Sequence, residues 1–410
     1  MQTINIGLLG LGTVGSGVVQ LLQKQALKIE ATTNVRFNLK RVAVAHLNKR
    51  REATLPSSTK LTDQISEVVN DPEIQIVIET MGTIEPAKKA ITQAINNHKS
   101  VITANKDLLA LEGQHLANIA SENKVDFFYE ASVAGGIPIL RILSNSLVSD
   151  DINCVVGIIN GTSNYILSCM ANSNISYQSA LQAAKEKGYA ESNPTNDIKG
   201  IDSANKLSIL SQFAFGQEIN PNDFDNTGID VLTPNQFKSA ESFGYTIKLL
   251  AIALKKDESL YYFVGPALIA SDHQLAHING VQNAVLVNSE ALGSSLYTGA
   301  GAGAKPTANS ILSDLIATTK DILNKNCGTA FANYSKKLNT ERLNSLEQKY
   351  LVTGLPLNTK NIDISFIKKA VINGSTCIVT NPISKHNLIK KLGEMYNTVN
   401  ILPIYDSFKI

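Results

Sequence analysis

Apolar positions in the first 130 residues form short runs separated by stretches with helical spacing. Ile4-Asn5-Ile6-Gly7-Leu8-Leu9 is compact and apolar, the pattern of a strand buried on both faces. A glycine-rich turn follows, and then Val14, Val18, Val19, Leu21 and Leu22 recur at helical spacing. Runs at 39–45, 74–79, 100–103 and 125–129 predict four more strands, and 87–96 predicts a helix. Strands alternating with helices predict βαβ units and a doubly wound parallel sheet, an α/β architecture.

The pattern changes near residue 131. A strand is predicted at 151–160 and helices at 164–170, 177–187 and 203–213, the second ended by Gly188 as a residue just past a helix C-terminus. Strands are predicted at 260–264 and 284–288, so this stretch reads as α+β. A small-residue loop at 299–303 precedes a helix over about 308–323, and a polar linker follows Lys336-Lys337. The tail predicts strands at 349–355, 371–380 and 399–404, with a helix at 385–396.

Length and composition narrow the classes. A chain of 410 residues predicts two or three domains. The apolar share of 43% and charged share of 18% are those of a globular protein. With 37 Lys+Arg against 35 Asp+Glu, the net charge of +2 gives no basic footprint for nucleic acid. No window approaches the roughly 18 apolar residues of a membrane span. The N-terminus shows no secretory pattern. Cys154, Cys169, Cys327 and Cys377 are far apart and form no metal or disulfide framework. The expectation is a cytoplasmic protein.

Gly10-Leu11-Gly12-Thr13-Val14-Gly15 is a G-x-G-x-x-G between a strand and a helix, the context that gives the pattern meaning. Its glycines permit a tight turn, close approach to a pyrophosphate, and helix–strand contact. The second strand ends Val44-Ala45-His46-Leu47-Asn48-Lys49-Arg50-Arg51, with no acid to bind a ribose 2′-hydroxyl. Lys49, Arg50, Arg51 and also His46 could instead meet a 2′-phosphate, which favours NADP and leaves NAD possible; a solvated basic loop is the alternative.

Three further segments carry chemistry. Thr103-Ala104-Asn105-Lys106 ends a strand at the carboxyl edge of the sheet, where ligands bind. Tyr129 to Pro138 combines Glu130 with glycines. Gly188-Tyr189-Ala190-Glu191-Ser192-Asn193-Pro194-Thr195-Asn196-Asp197 runs on to Asp202 and Lys206, one turn apart on a helix face. With a nucleotide fold, these residues suit a dehydrogenase acting on an amino acid: carboxylates for an ammonium, and a lysine for the alcohol proton.

Over roughly residues 1–325 the sequence resembles the homoserine dehydrogenases, most specifically at 188–210 and also at 7–19, 103–108, 130–139, 160–167, 244–251, 279–287 and 299–314. The resemblance implies reversible NAD(P)-linked interconversion of L-homoserine and L-aspartate 4-semialdehyde, a step toward threonine and methionine. It implies that Lys206 is the main proton-transfer lysine and Lys106 the second lysine, near the nicotinamide. Glu191, Asp197 and Asp202 would bind the substrate ammonium or hold the lysines, and Gly161, Thr162 and Tyr189 would line the substrate pocket. Gly10, Gly12, Thr13, Val14, Gly15, Thr103, Asn105 and Gly301 would meet the cofactor. Glu130, with the carbonyls of Val133, Gly135 and Ile137, matches a structural site for a monovalent cation such as Na⁺.

The implied domains are a Rossmann-type dinucleotide-binding domain (1–131 plus about 304–336) and a substrate and dimerisation domain (132–303). A small tail domain (345–410) resembles an ACT-type α+β regulatory unit. That tail lacks the usual first-helix turn, with Leu357-Asn358-Thr359-Lys360 in its place, so a structural role is expected rather than effector sensing. A homodimer is expected. Two departures stand out: Asn193 where the family commonly has Asp, and Ala45-His46 where it often has Arg-Asp. The rivals are a nucleotide sensor without turnover and a dehydrogenase for another amino-acid alcohol.

Overall fold

The computed structural model describes residues 1–225, 227–332, 334–358 and 363–405. They form two compact units, one of residues 1–149, 208–220 and 299–336, the other of 150–207, 221–298 and 337–410.

The first unit is built on strands β1 (Gln2–Leu9), β2 (Val35–Ala43), β3 (Lys60–Thr62), β4 (Ile76–Glu79), β5 (Ser100–Thr103) and β6 (Phe127–Phe128). They pair in parallel, in the order β3-β2-β1-β4-β5-β6. Every residue of β4 and β5 is buried, which is why both read as unbroken apolar runs. Val18, Val19 and Leu22 of the Thr13–Thr33 helix and Ile311, Leu312 and Leu315 of the Ala304–Asn324 helix join Ile4, Ile6 and Leu8 in one core. The strand order reverses beside β1 and β4, the place where ligands bind such sheets.

The second unit carries β7 (Ile152–Ile158), β8 (Tyr245–Lys256), β9 (Ser259–Ala270), β10 (Gln282–Ser289), β11 (Gly293–Ala300), β12 (Asn339–Arg342), β13 (Tyr350–Leu355), β14 (Phe366–Ile372), β15 (Ser375–Thr380) and β16 (Asn400–Tyr405). Their order is β11-β10-β7-β8-β9-β16-β13-β15-β14, with β12 alongside β9. Ile166, Leu167 and Met170 of the Gly161–Ser173 helix share a core with Ile247, Leu249 and Leu268.

Three features differ from the sequence expectation. The stretch predicted as one strand at 371–380 is a hairpin, because Asn373 (φ 49°) and Gly374 (φ 77°) both take the left-handed conformation of a tight turn. The long strand β8 was not anticipated; its central eight residues are all buried, so it shows no alternation. The tail set apart at 345–410 does not stand alone: Ile404 and Tyr405 pair with Leu268 and Ile269 of β9, and Leu351, Val379 and Leu402 enter the core of the second unit. Thr359 and Lys360, part of the substituted tail turn, lie outside the described residues. Among the described residues no helix is long and apolar enough to cross a membrane.

Candidate active site

In the first unit the glycine turn is shaped by what surrounds it. Gly10 has φ 94°, and a Cβ there would lie 2.7 Å from the Thr80 carbonyl oxygen after β4. A Cβ on Gly15 would sit on the carbonyl oxygen of Gly10. Gly12 is the contrast: a Cβ there would meet nothing within 4 Å, so the backbone lies bare to whatever approaches. Gly12 caps the Thr13–Thr33 helix without a side-chain bond, and no acid sits in the first turn. The amides of Thr13, Val14 and Gly15 therefore suit an anion, and the residues present fit a dinucleotide pyrophosphate.

Beyond β2, residues 45–50 are exposed. The Arg51 guanidinium donates to the carbonyls of Leu47 (2.9 Å) and Lys49 (2.7 Å), and to that of His46. Arg51 thus curls the loop, and Lys49 and Arg50 remain as its exposed cations. At the ends of β4 and β5, Thr103 donates to the fully buried Glu79 carboxylate (2.6 Å), whose other oxygen accepts from the Met81 amide (2.6 Å). Burial pushes the Glu79 carboxyl above its usual range. Asn105 caps the Lys106–Glu122 helix through the Leu108 amide and donates to the Thr83 carbonyl (2.7 Å). The side chains of Thr103 and Asn105 are thus engaged within the protein. Lys106, the first residue of that helix, is one-third exposed and lies 3.7 Å from Asp107. Glu79 was missed from sequence, although an acid ending an apolar run such as Ile76-Val77-Ile78-Glu79 is a usable signal.

Glu130 is fully buried. Its carboxylate accepts from the amides of Leu140 (2.9 Å) and Arg141 (2.8 Å), and its own amide donates to Asp314 (2.9 Å). Arg141 pairs with Asp314 and lies 3.8 Å from Glu130. Burial and the neighbouring Asp314 push the Glu130 carboxyl up to about 8. Burial pushes Asp314 up to about 6 against the pull of Arg141. Gly135 rests against the Gly301 carbonyl and accepts from the Ser310 hydroxyl (2.7 Å). Asp314 and Arg141 offset one another, and burial favours the protonated form of Glu130. The set that the resemblance implies for a cation, Glu130 with the carbonyls of Val133, Gly135 and Ile137, is all oxygen, as a hard cation prefers. Both Glu130 oxygens already accept from amides, and the Gly135 and Ile137 carbonyls accept from Ser310 and the Ile139 amide (2.8 Å). Among the described residues no group of three or more His, Cys, Asp or Glu is placed to hold a metal ion.

The second unit holds the densest polar cluster. Lys206 is 8% exposed and Asp202 6%, on the Ile201–Phe215 helix. Lys206 Nζ donates to Asp202 Oδ2 (2.7 Å) and to the Ile159 carbonyl (2.8 Å). Asn160 Nδ2 donates to the same Asp202 oxygen (2.9 Å) and to Asp197 Oδ1 (2.7 Å). Its Oδ1 accepts from the Ser163 amide (2.8 Å), capping the Gly161–Ser173 helix. Ser163 Oγ donates to the Asp197 carbonyl (2.7 Å). Thr162 Oγ1 donates to the Tyr189 carbonyl (2.7 Å), and the Tyr189 ring stands edge-on to Tyr165 at 4.9 Å between centroids. Glu191 and Asn193 are exposed, and Asp197 is half-buried. The structure thus joins Asp197, Asp202 and Lys206 through Asn160. Asn160 was missed from sequence, although an Asn directly before a helix is a cap signal.

A parallel sheet with a bare glycine turn, joined by the chain to a unit with a buried lysine–carboxylate cluster, defines a nicotinamide-dependent oxidoreductase. A family model described as "Homoserine dehydrogenase, NAD binding domain" matches residues 10–130, and one described as "Homoserine dehydrogenase" matches 138–316. A homoserine dehydrogenase of Lactococcus lactis is 40% identical over 352 residues, covering 85% of this chain and 82% of that one. One of Bacillus subtilis is 41% identical over 322 residues, covering 78% and 74%. The crystal structure of a homoserine dehydrogenase from Thiobacillus denitrificans superposes with a TM-score of 0.92 at 34% identity, covering 98% of each chain. The chain belongs to the homoserine dehydrogenase family, NAD(P)-dependent oxidoreductases acting on a CH–OH group.

Proposed function

We propose that Lys206 is the proton-transfer residue of this homoserine dehydrogenase, and that Asn160, Asp197 and Asp202 form the frame that aims it. The observation that carries this is the hydrogen-bond chain Lys206–Asp202–Asn160–Asp197. Bound nicotinamide supplies or accepts the hydride at C4 of the substrate. Toward homoserine, the Lys206 ammonium donates a proton to the aldehyde oxygen as the C4–H bond forms. In the other direction the neutral amine takes the hydroxyl proton as that bond breaks. Asp202 and the Ile159 carbonyl fix the nitrogen so that little reorganisation accompanies the transfer. Glu191, Asp197 and Asp202 supply carboxylates for the substrate ammonium, with Gly161, Thr162 and Tyr189 shaping the pocket wall. Lys106 is the second lysine of the reaction, as the family resemblance implies.

The first unit is the cofactor unit in this proposal. The amides of Thr13, Val14 and Gly15 hold the pyrophosphate, and Thr103, Asn105 and Gly301 shape the surrounding floor. Lys49 and Arg50, exposed where no acid stands, bind the NADP 2′-phosphate and favour NADP over NAD. A monovalent cation such as Na⁺, held by Glu130 with the carbonyls of Val133, Gly135 and Ile137, would favour the charged form of Glu130 as a structural ion. The tail is a structural, ACT-like extension, and the enzyme works as a cytoplasmic homodimer.

The test is oxidation of L-homoserine with NADP⁺ and then NAD⁺, by wild type and Lys206→Ala. Wild-type turnover that disappears in the variant supports the assignment, and the two cofactor rates decide the preference. Near wild-type turnover in Lys206→Ala would move proton transfer to Lys106 or water.

A further inference from the structure

Lys248 lies in β8 and is only 2% exposed. Its Nζ donates to the Ile278 carbonyl (2.5 Å) and to Asn279 Oδ1 (2.9 Å). Among the described residues it has no carboxylate partner. A buried ammonium is costly, and carbonyl and amide oxygens alone compensate it in part. Burial draws it down to about 8. A merely structural site would be filled more cheaply by an apolar residue, so the target of these bonds matters.

That target is the loop at 278–282, and the loop grips the Gly161–Ser173 helix along its first two turns. Asn164 Nδ2 donates to the carbonyls of Ile278 (3.2 Å) and Gln282 (3.1 Å). Ser168 Oγ accepts from the Gly280 amide (3.1 Å), and it donates to the Asn164 carbonyl (2.7 Å). At the helix start a Cβ on Gly161 would come within 2.9 Å of the Val281 carbonyl oxygen, so helix and loop touch backbone to backbone. Asn160, which caps this helix, holds Asp197 and Asp202.

We infer that Lys248 is a positioning residue for the reaction. Through the 278–282 loop it ties the start of the Gly161–Ser173 helix to the central sheet, and so fixes where Asn160 places the two carboxylates and Lys206. The inference rests on the assignment of that cluster as the substrate site.

The experiment compares full-length wild type, Lys248→Met, Lys248→Arg and Asn279→Ala, with Lys206→Ala alongside. Melting temperature and separate kcat and KM values for homoserine and NADP⁺ are read. Lys248→Met is expected to lower kcat/KM for homoserine about tenfold or more, as small misplacements do, with the KM for NADP⁺ unchanged. Lys248→Arg should recover part of the loss, and Asn279→Ala should shift the homoserine constants in the same direction by less. A folded Lys248→Met with unchanged homoserine constants, or with equal losses for both substrates, overturns the inference. If Lys248→Met does not fold, Asn279→Ala decides it, and unchanged homoserine constants there overturn it too. Near wild-type turnover in Lys206→Ala would instead overturn the site assignment.

Discussion

The ammonium of Lys206 lies 2.7 Å from Asp202, one turn earlier on the same helix. An i,i+4 pair of this kind on an exposed helix contributes only a few tenths of a kcal/mol. Here both residues are buried, and Asp202 shares its oxygen with Asn160, so the pair belongs to a network rather than to a surface.

Lys206→Ala should lower kcat by about 100- to 10,000-fold, the range over which a positioned proton-transfer group acts. The KM for NADP⁺ should change little, because Lys206 belongs to the second unit and the glycine turn to the first. Steady-state kinetics followed by the absorbance of the reduced nicotinamide check both points.

Asn160→Ala removes a helix cap and two carboxylate contacts at once. The lost cap alone should cost about 1 kcal/mol of stability, and kcat/KM for homoserine should fall as well. Asn160→Asp should be worse for activity than for folding: it keeps a capping oxygen but sets a third carboxylate against Asp197 and Asp202. Denaturant melts and kinetics on both variants separate the two effects.

Replacing Lys49 and Arg50 with alanine should raise the KM for NADP⁺ and leave that for NAD⁺ unchanged. Added salt should weaken NADP⁺ binding in the wild type more than in the double variant, because exposed charge interactions are screened. Equal effects on the two cofactors would count against a 2′-phosphate role.

Gly10→Ala combines a crowded backbone contact with a φ that side chains resist. It should cost about 1–3 kcal/mol of stability from strain alone. It should also weaken nucleotide binding, since the same turn presents the helix amides. Thermal melts with and without NADP⁺ would show both.

Asp126 gives a pH prediction. Its carboxyl is buried, accepts from the Gly328 amide (2.9 Å), and is pushed by burial from 3.8 up to about 6. The folded state therefore holds a proton that the unfolded state has lost over that interval. The contribution of Asp126 is fully present below about 4 and declines as pH rises through 6. Asp126→Asn should flatten the fall of melting temperature between pH 4 and 6 and be the more stable protein at pH 7. A parallel pH dependence in wild type and variant would refute this assignment.

Much of the first unit was legible in the sequence because its information is local. A strand buried on both faces reads as an apolar run, as in Ile76-Val77-Ile78, and a G-x-G-x-x-G between a strand and a helix carries its own geometry. The hairpin at Asn373-Gly374 was also written locally, in an Asn-Gly dipeptide, but was passed over because the flanking residues read as one apolar run.

What only the tertiary structure decided is long-range. Asn160 meets Asp197 and Asp202 across 37 and 42 positions of chain, a convergence no periodicity encodes. Lys248 in β8 reaches a loop 30 residues on. The tail became part of the central sheet because β16 found the edge of β9, a pairing chosen by backbone hydrogen bonds and shared core rather than by side-chain pattern. The sequence by itself determined the glycine turn and the buried strands whose pattern is local; folding decided which distant polar side chains meet, because hydrogen bonds act over about 3 Å and only the packed chain brings such positions that close.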